Sequence, residues 1–187
     1  MAYFTSAESE GEMNYKGEMI KAMNLLAEDE RVIFLGQTVL YEGSTIYETL
    51  TDVPDNKKVE MPVAEELQMG VSIGLSLLGY VPVSVYPRMD FLMRAMDQLV
   101  NHLDKIEEMS DGQFKPKVLI RTVIGGTKPL DPGPQHHQDH TSLLRIALPH
   151  VKVFKLVSPA QIVPTYKMCL KAPHSSILVE YAEKIRD

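Results

Sequence analysis

Short, continuous apolar runs alternate with amphipathic stretches along most of this chain. The runs lack the alternation of a half-exposed strand, and their length is typical of parallel strands buried on both faces. They predict strands at residues 32–36, 81–86, 117–123, 151–157 and 177–181. Apolar residues that recur at helical spacing predict helices at residues 15–30, 91–109 and 159–172.

The segment after the first of these strands is less regular. Residues 37–58 show no sustained period, apart from a short helix predicted near residues 46–50. Residues 59–61 predict a short strand, which leads into a helix of small and apolar residues that opens at Glu65. Because this helix is apolar on nearly every side, we expect most of its surface to be buried.

Strands that alternate with helices predict an α/β fold, with a three-layer parallel sheet covered by helices on both faces. Residues 15–187 are expected to form this single domain, behind a polar lead-in over residues 1–14. Ligands of such sheets bind outside the carboxyl ends of the strands. We therefore expect one crevice to be lined by the segments that follow strands, at residues 36–43, 86–91 and 125–140 and at Glu65.

Composition excludes several classes of partner. The 187 residues carry a net charge of −6, and no basic stripe interleaves with aromatic residues, so nucleic acid is not expected. No apolar run has the length of a membrane span and the polar N-terminus is no signal peptide, which predicts a cytoplasmic protein without membrane contact. Cys169 is the single cysteine and is expected to be an inert core thiol.

Glu65 admits two interpretations. Acidic residues are common in the first turn of a helix because they complement the positive end of the helix dipole. A carboxylate at the mouth of a buried helix can instead be a chemically active group. Since helix starts are far more common than active sites, this segment alone favours the structural interpretation.

Several site motifs are missing from the sequence. It contains no G-x-G-x-x-G after a strand, no P-loop, no serine elbow and no C-x-x-C. Histidines cluster at residues 136–140, and His136 and His140 would share one face if the segment were helical, which leaves a zinc hydrolase as one alternative. The surroundings have the composition of a loop and offer no third ligand, so no metal is expected on this chain.

Four motifs occur in a fixed order. They are M-P-V-A-E at 61–65, D-F at 90–91 with M-D-Q-L-V-N at 96–101, M-S-D-G-Q-F at 109–114, and G-P-Q-H at 133–136. In order and spacing they resemble the transketolase-like pyrimidine-binding domain in the beta subunit of 2-oxo acid dehydrogenase decarboxylating components (pyruvate, branched-chain and acetoin types). The order of strands and helices agrees over about residues 14–181.

The resemblance implies a thiamine diphosphate enzyme that decarboxylates a 2-oxo acid and transfers the remaining unit, by oxidation or by carboligation. In this family the glutamate that matches Glu65 hydrogen-bonds the aminopyrimidine ring and favours its imino form. Phe91 matches the aromatic residue that packs on this ring, and His136 matches the histidine near the reacting centre. Glu65 and His136 are therefore expected as catalytic residues, and Glu65, Phe91 and Gln37 as cofactor contacts.

The chain also departs from the family pattern. Gln37 replaces an acid of the proton path between paired sites, and a neutral amide cannot relay a proton as a carboxylate does. His137 replaces a serine, and the family's beta subunits continue into a C-terminal domain. These departures keep open an alternative, in which the chain is a non-catalytic paralogue that acts as a scaffolding or regulatory subunit.

The family's second cofactor motif is missing here as well. Gly-Asp-Gly with a distant Asn, which holds magnesium and diphosphate in thiamine diphosphate enzymes, does not occur in the sequence. The chain can thus supply only the pyrimidine half of a site. The resemblance implies an alpha-type partner chain that carries Mg²⁺, in an α2β2 heterotetramer, and a homodimer when this chain is alone.

Overall fold

A six-stranded parallel sheet forms the centre of the computed structural model, which describes residues 13–186. Its strands are β1 Val32–Gly36, β2 Lys58–Glu60, β3 Val81–Tyr86, β4 Leu119–Ile124, β5 Lys152–Lys155 and β6 Ser176–Tyr181. They lie in the order β2-β1-β3-β4-β6-β5, and every neighbouring pair is parallel. The predicted parallel α/β sheet is confirmed.

Helices cover both faces of the sheet. They are α1 Tyr15–Ala27, α2 Glu65–Leu77, α3 Met89–Leu92, α4 Ile106–Met109, α5 Thr141–Ala147, α6 Pro159–Lys171 and α7 Ala182–Arg186. Within residues 13–186, no helix is both long and apolar enough to cross a lipid bilayer. The predicted polar lead-in falls largely outside the described residues, although Asn14 accepts a hydrogen bond from the backbone of Gly17 and so caps α1.

Two apolar cores result, one on each face. The first packs α1, α6 and α7 against the sheet, together with the turns around residues 46–53. The second packs α2, the helical segment after β3, and α5 against the other face. Cys169 is fully buried in the first core, and burial raises the pKa of its thiol, in agreement with an inert core residue.

The predicted continuous helix over residues 91–109 is wrong in its geometry. Instead, α3 passes into a 3₁₀ turn at Met93–Ala95, a π-helical segment at Gln98–Leu103, and then α4. The backbone N–H of Asp104 bonds the carbonyl of Leu99, five residues earlier. The recurrence of apolar residues correctly identified the buried side chains. It does not determine whether the backbone hydrogen bonds span three, four or five residues. The sequence analysis also missed α5 and α7.

A buried ion pair joins β4 to β6. Arg121 Nε donates to Glu180 Oε1 over 2.6 Å and Nη2 donates to Oε2 over 2.9 Å, with both side chains fully buried. The hydroxyl of Tyr166 on α6 donates to the same carboxylate over 2.5 Å, and Thr49 Oγ1 accepts from Arg121 Nη2 over 2.7 Å. Burial and the charge of Glu180 raise the pKa of Tyr166. This network connects the sheet to the first core.

Candidate functional site

Glu65 begins α2, yet its side chain does not cap the helix. The side chain is 4% exposed, and the described residues offer its carboxylate two contacts. Gln37 Nε2 donates to Oε1 over 3.3 Å, and Arg94 Nε lies 3.4 Å from Oε2. Both distances are long for a charge-assisted hydrogen bond, so the carboxylate keeps free acceptor capacity. The helix-cap interpretation therefore has no side-chain hydrogen bond to support it.

Glu65 opens onto a cavity of about 670 Å³ between α2 and the helical segment that follows β3. Gly70 lies in its wall, where a Cβ would make only an ordinary van der Waals contact with the side-chain oxygen of Gln98, at 3.7 Å. A volume of this size is typical of small-molecule sites. The cavity lining, besides Glu65, includes Val63, Leu67, Gly70, Val71, Arg94 and Gln98.

A buried polar cluster fixes α2 against the sheet directly below Glu65. Gln68 Nε2 donates to the carbonyl of Val85 over 2.9 Å and to Ser84 Oγ over 3.1 Å. Ser72, one turn further along, bonds Ser84 over 3.0 Å. The hydroxyl of Tyr86 donates to the backbone carbonyl of Glu65 over 3.2 Å. These bonds hold the start of the helix in place, and they thereby fix the point at which the Glu65 side chain leaves the backbone.

Gln37 is positioned by a carboxylate that the sequence analysis missed. Glu60, the last residue of β2, accepts hydrogen bonds from the backbone N–H groups of Thr38, Val39 and Leu40 over 2.6, 2.9 and 3.0 Å. Thr38 has a φ of 57°, in the left-handed region. The turn after β1 is thereby held in one conformation, and it directs Gln37 towards Glu65.

Phe91 and His136 meet at the ends of β3 and β4. Their rings make an edge-to-face contact with centroids 5.6 Å apart and an interplanar angle of 86°. Gly125 permits this approach, because a Cβ there would lie only 1.9 Å from the carbonyl oxygen of His136. Nδ1 of His136 is buried and has no hydrogen-bond partner among residues 13–186. The predicted loop is therefore folded back over the end of β4.

The predicted site residues thus form two pairs at one edge of the sheet. Gln37 contacts Glu65, and Phe91 contacts His136. Arg94 connects the regions, since it contacts Glu65 from the 3₁₀ turn that follows α3, the helix that carries Phe91. The four segments do follow the carboxyl ends of their strands, but the cavity at Glu65 includes no residue from segments 36–43, 86–91 or 125–140, so it is not the single shared crevice that the sequence predicted.

The histidine cluster does not converge on one point. His137 Nε2 lies 3.7 Å from Asp131, and His140 Nε2 lies 4.0 Å from Asp90, while His136 contacts Phe91. In the described part of the chain, no group of three or more His, Cys, Asp or Glu side chains is placed to hold a metal ion. The segment is also not helical before Thr141, so the assumption behind a shared His136 and His140 face is wrong.

Sequence and structure comparisons define the class of protein. The family model described as "Transketolase, pyrimidine binding domain" matches residues 15–186, so the chain belongs to this family. A split-gene transketolase, described as an inactive beta4 tetramer, has the same fold with a TM-score of 0.71 at 22% identity, over 92% of this chain and 52% of its own.

Curated relatives are beta subunits of 2-oxo acid dehydrogenases. The chain is 31% identical over 147 residues to the 3-methyl-2-oxobutanoate dehydrogenase subunit beta of Mycobacterium tuberculosis strain H37Rv, covering 70% of this chain and 41% of that protein. It is 26% identical to the pyruvate dehydrogenase E1 component subunit beta of Gracilaria tenuistipitata, covering 82% and 47%. The chain therefore spans about half the length, or less, of these relatives.

Three positioning residues were not identified from the sequence. Gln68 could have been suspected, because it is a polar residue three positions after Glu65 in an otherwise apolar helix. Glu60 and Arg94 gave no such signal, since acidic residues near strand ends and arginines on helices are common. Their roles depend on contacts with residues that lie far away in the sequence.

Proposed function

We propose that this chain is the beta-type subunit of a two-chain, thiamine diphosphate-dependent enzyme that decarboxylates a 2-oxo acid. The enzyme then transfers the remaining unit by oxidation or by carboligation. Glu65 and His136 act as catalytic residues, and Gln37 and Phe91 contact the cofactor. The observation that carries this proposal is the buried Glu65 carboxylate, which faces a cavity with only two long contacts.

The residues around Glu65 fit the pyrimidine half of this cofactor. A flat aminopyrimidine needs a buried acid or acceptor at its ring nitrogen and a nearby apolar or aromatic surface. Glu65 offers the first, and Val63, Leu67 and Val71 offer apolar surface in the cavity lining. Phe91 lies outside this lining, on α3 and three residues before Arg94, which does line the cavity. Thiamine diphosphate supplies the carbon nucleophile and electron sink that decarboxylation requires.

The chain's own residues then have distinct tasks. Glu65 holds or shares a proton at the ring nitrogen, from a helix start that Gln68 and Tyr86 fix against the sheet. Gln37 orients the carboxylate through its amide and carries no charge of its own. His136, with a free buried Nδ1, provides a proton donor or acceptor beside the substrate.

An exposed apolar face of α2 supports a partner chain at this cavity. The sequence predicted a helix buried on most of its surface, and this is wrong for the described residues. On α2, Leu67 is 54% exposed, and Val63, two residues before the helix, is 82% exposed; both line the cavity. Leu78, at the other end of the same helix, is also exposed. Contiguous exposed apolar side chains mark interaction surfaces.

We propose that an alpha-type chain covers this face and closes the cavity. Such a chain would carry the diphosphate and Mg²⁺ ligands that this sequence lacks, so the complete site forms only in the assembly. An α2β2 heterotetramer is the expected product, whereas this chain alone forms a homodimer without turnover. The curated relatives are themselves named as subunits, which supports an assembly of more than one chain.

Cofactor titration of the reconstituted assembly tests the proposal. The chain is purified from the organism that produces it, and the proteins that co-purify with it are identified. A companion whose sequence contains Gly-Asp-Gly and a downstream Asn is then co-expressed with the chain. Calorimetry then measures thiamine diphosphate binding with Mg²⁺ to the mixture and to each chain alone, with thiamine monophosphate as the matched control ligand. We expect saturable binding of thiamine diphosphate only to the mixture.

A mixture that assembles but binds no thiamine diphosphate would contradict the enzyme proposal and leave the scaffolding or regulatory role. Elemental analysis of the same preparation addresses the remaining alternative. Stoichiometric zinc that depends on His136 and His140 would contradict our proposal in favour of a zinc hydrolase.

A further inference from the structure

The first three residues of α3 each contact the loop that carries His136. The contacts follow the two segments in opposite directions, so that each next residue of α3 meets an earlier residue of the loop. They pair Met89 with His140, Asp90 with Gln138, and Phe91 with His136. We call these three contacts the latch. Because the latch uses every second residue of the loop, one side of residues 136–140 faces α3.

The two intervening residues of the loop have partners elsewhere. His137 Nε2 lies 3.7 Å from Asp131, and the carboxylate of Asp139 accepts hydrogen bonds from Lys155 and Thr141. The loop therefore has a defined side towards α3. The side chains on that side, His136 among them, depend on the latch for their positions.

The middle contact is the strongest of the latch. Gln138 Nε2 donates to Asp90 Oδ1 over 2.8 Å, and the Asp90 side chain is only 7% exposed. A hydrogen bond to an ionised carboxylate at this distance is charge-assisted and stronger than a bond between neutral groups. By contrast, the backbone N–H of His140 donates to the thioether sulfur of Met89, which is a weak acceptor. The ring of His140 adds little, since its Nε2 lies 4.0 Å from Asp90 Oδ1, beyond hydrogen-bond distance.

The ring of His136 is not fixed by a hydrogen bond of its own Nδ1. This atom is buried and has no partner among residues 13–186. The backbone of His136 is placed by a hydrogen bond from its N–H to the carbonyl of Gly133 and by the close approach of its carbonyl to Gly125. The ring itself contacts Phe91 edge-to-face. Its direction therefore depends on how the loop is held two residues further on, at Gln138.

We propose that Gln138 is a positioning residue for His136. Its amide, bonded to Asp90, holds the loop so that the His136 ring stays against Phe91 and presents Nδ1 at the end of β4. Gln138 acts through the loop and transfers no proton itself. This inference rests on the proposed function, in which His136 is a catalytic residue.

Gln138 is a better position for a test than Asp90. Its side chain is exposed, so its substitution leaves both apolar cores intact. Asp90 is also the nearby counter-charge of Arg88, two residues earlier: burial lowers the pKa of Arg88, and the charge of Asp90 opposes this shift. A substitution of Asp90 would therefore disturb Arg88 as well as the latch.

Three substitutions of Gln138 separate the hydrogen bond from the size of the side chain. Gln138→Lys retains a donor for Asp90, Gln138→Leu has none, and Gln138→Glu places a second carboxylate against the first. The nuclear Overhauser effect between the ring protons of Phe91 and His136 reports their contact, measured in the chain without cofactor. We expect the wild-type effect in Gln138→Lys, a weaker one in Gln138→Leu and none in Gln138→Glu.

Gln135→Leu is the matched control for these variants. Gln135 is an exposed glutamine of the same loop, one residue before His136 and outside the latch, so this variant should keep the wild-type effect. All four variants should melt within about 2 °C of wild type, because surface substitutions change stability little.

Turnover of the assembly gives the second measurement. Gln138→Leu should lower kcat by about 10–100-fold, since a small displacement of a catalytic group has effects of this size. Its affinity for thiamine diphosphate should stay within about twofold of wild type, because the cavity at Glu65 is unchanged.

Each contrary result overturns the inference. These are a wild-type Overhauser effect in Gln138→Glu, equal losses in Gln138→Leu and Gln135→Leu, or equal losses in Gln138→Leu and Gln138→Lys. Wild-type kcat in a variant that has lost the effect would show that the contact has no role in turnover. Because the Overhauser series uses the chain without cofactor, it can fail while cofactor binding persists, and the reverse, so the two proposals are tested separately.

Discussion

Glu65→Gln should abolish turnover while leaving the fold intact. The substitution keeps the size and planarity of the side chain and removes its charge and its ability to hold a proton. The two roles predict different results for this variant. Substitution of a structural glutamate would lower stability, whereas substitution of a catalytic glutamate would lower only the rate. The contacts of the carboxylate determine the expected size of each effect.

The structure predicts a small change in stability. The Gln37 contact of 3.3 Å is long for a hydrogen bond and contributes about 0.5 kcal/mol. Arg94 is 75% exposed, so solvent screening limits its contribution to about 0–1 kcal/mol. Removal of a buried charge offsets part of both. We therefore expect a net change within about 1 kcal/mol, which corresponds to about 2–4 °C in Tm for a chain of this size.

The expected effect on catalysis is much larger. Loss of a positioned acid or base typically lowers the rate by about 10²–10⁴-fold. The assay measures 2-oxo acid consumption by the assembly at saturating thiamine diphosphate and Mg²⁺, alongside thermal melting of the chain. Glu108→Gln is the matched control, since Glu108 is an exposed glutamate in the first turn of α4, outside the lining of the Glu65 cavity, and should retain wild-type turnover.

Two outcomes would refute the reasoning. Wild-type turnover in Glu65→Gln would remove the residue from the chemistry. A loss of Tm far beyond a few degrees, with turnover reduced only in proportion to the unfolded fraction, would make Glu65 structural after all.

Other regions of the molecule give three further predictions. Leu67→Asp should prevent assembly with the partner chain, measured by light scattering after size-exclusion chromatography, whereas Leu143→Asp, on α5 and similarly exposed, should not. Glu180→Gln should lower the free energy of unfolding by about 3–5 kcal/mol in urea titrations, because it leaves Arg121 buried without a counter-charge. Acid should release the loop that carries His136, because Asp139 holds this loop through hydrogen bonds from Lys155 and Thr141. Burial alone would raise the pKa of Asp139, but these hydrogen bonds outweigh burial and lower the pKa to about 2. The stabilisation is therefore present above the ordinary value of 3.8 and is lost as pH falls towards about 2, which NMR of the loop can follow.

Each of these predictions has a distinct contrary result. Normal assembly of Leu67→Asp would move the partner surface away from α2. A Glu180→Gln variant as stable as wild type would show that the buried pair contributes little beyond its desolvation. An Asp139→Asn variant whose loop still changes between pH 4 and 2, over the same range as wild type, would assign that transition to another group.

Much of this fold could be predicted from the sequence, because parallel strands buried on both faces give continuous apolar runs. The strands at residues 32–36 and 81–86 were predicted to the residue for that reason. The helical segment after β3 was predicted in the right place but as one continuous helix, without its 3₁₀ turn and π-helical segment. The spacing of apolar side chains indicates which residues are buried and does not indicate the type of helix. Helix α2 was predicted to be more buried than it is within this chain, because apolar residues in a sequence do not show which of them face the chain's own core.

The sequence by itself determined the parallel α/β architecture and selected Gln37, Glu65, Phe91 and His136 as candidates. Only the tertiary structure decided that Glu65 is no helix cap and that Glu60 holds the turn after β1. The physical reason is the range of each interaction. Strand and helix patterns repeat over a few residues, whereas hydrogen bonds, ion pairs and their absence depend on groups brought together from distant parts of the chain.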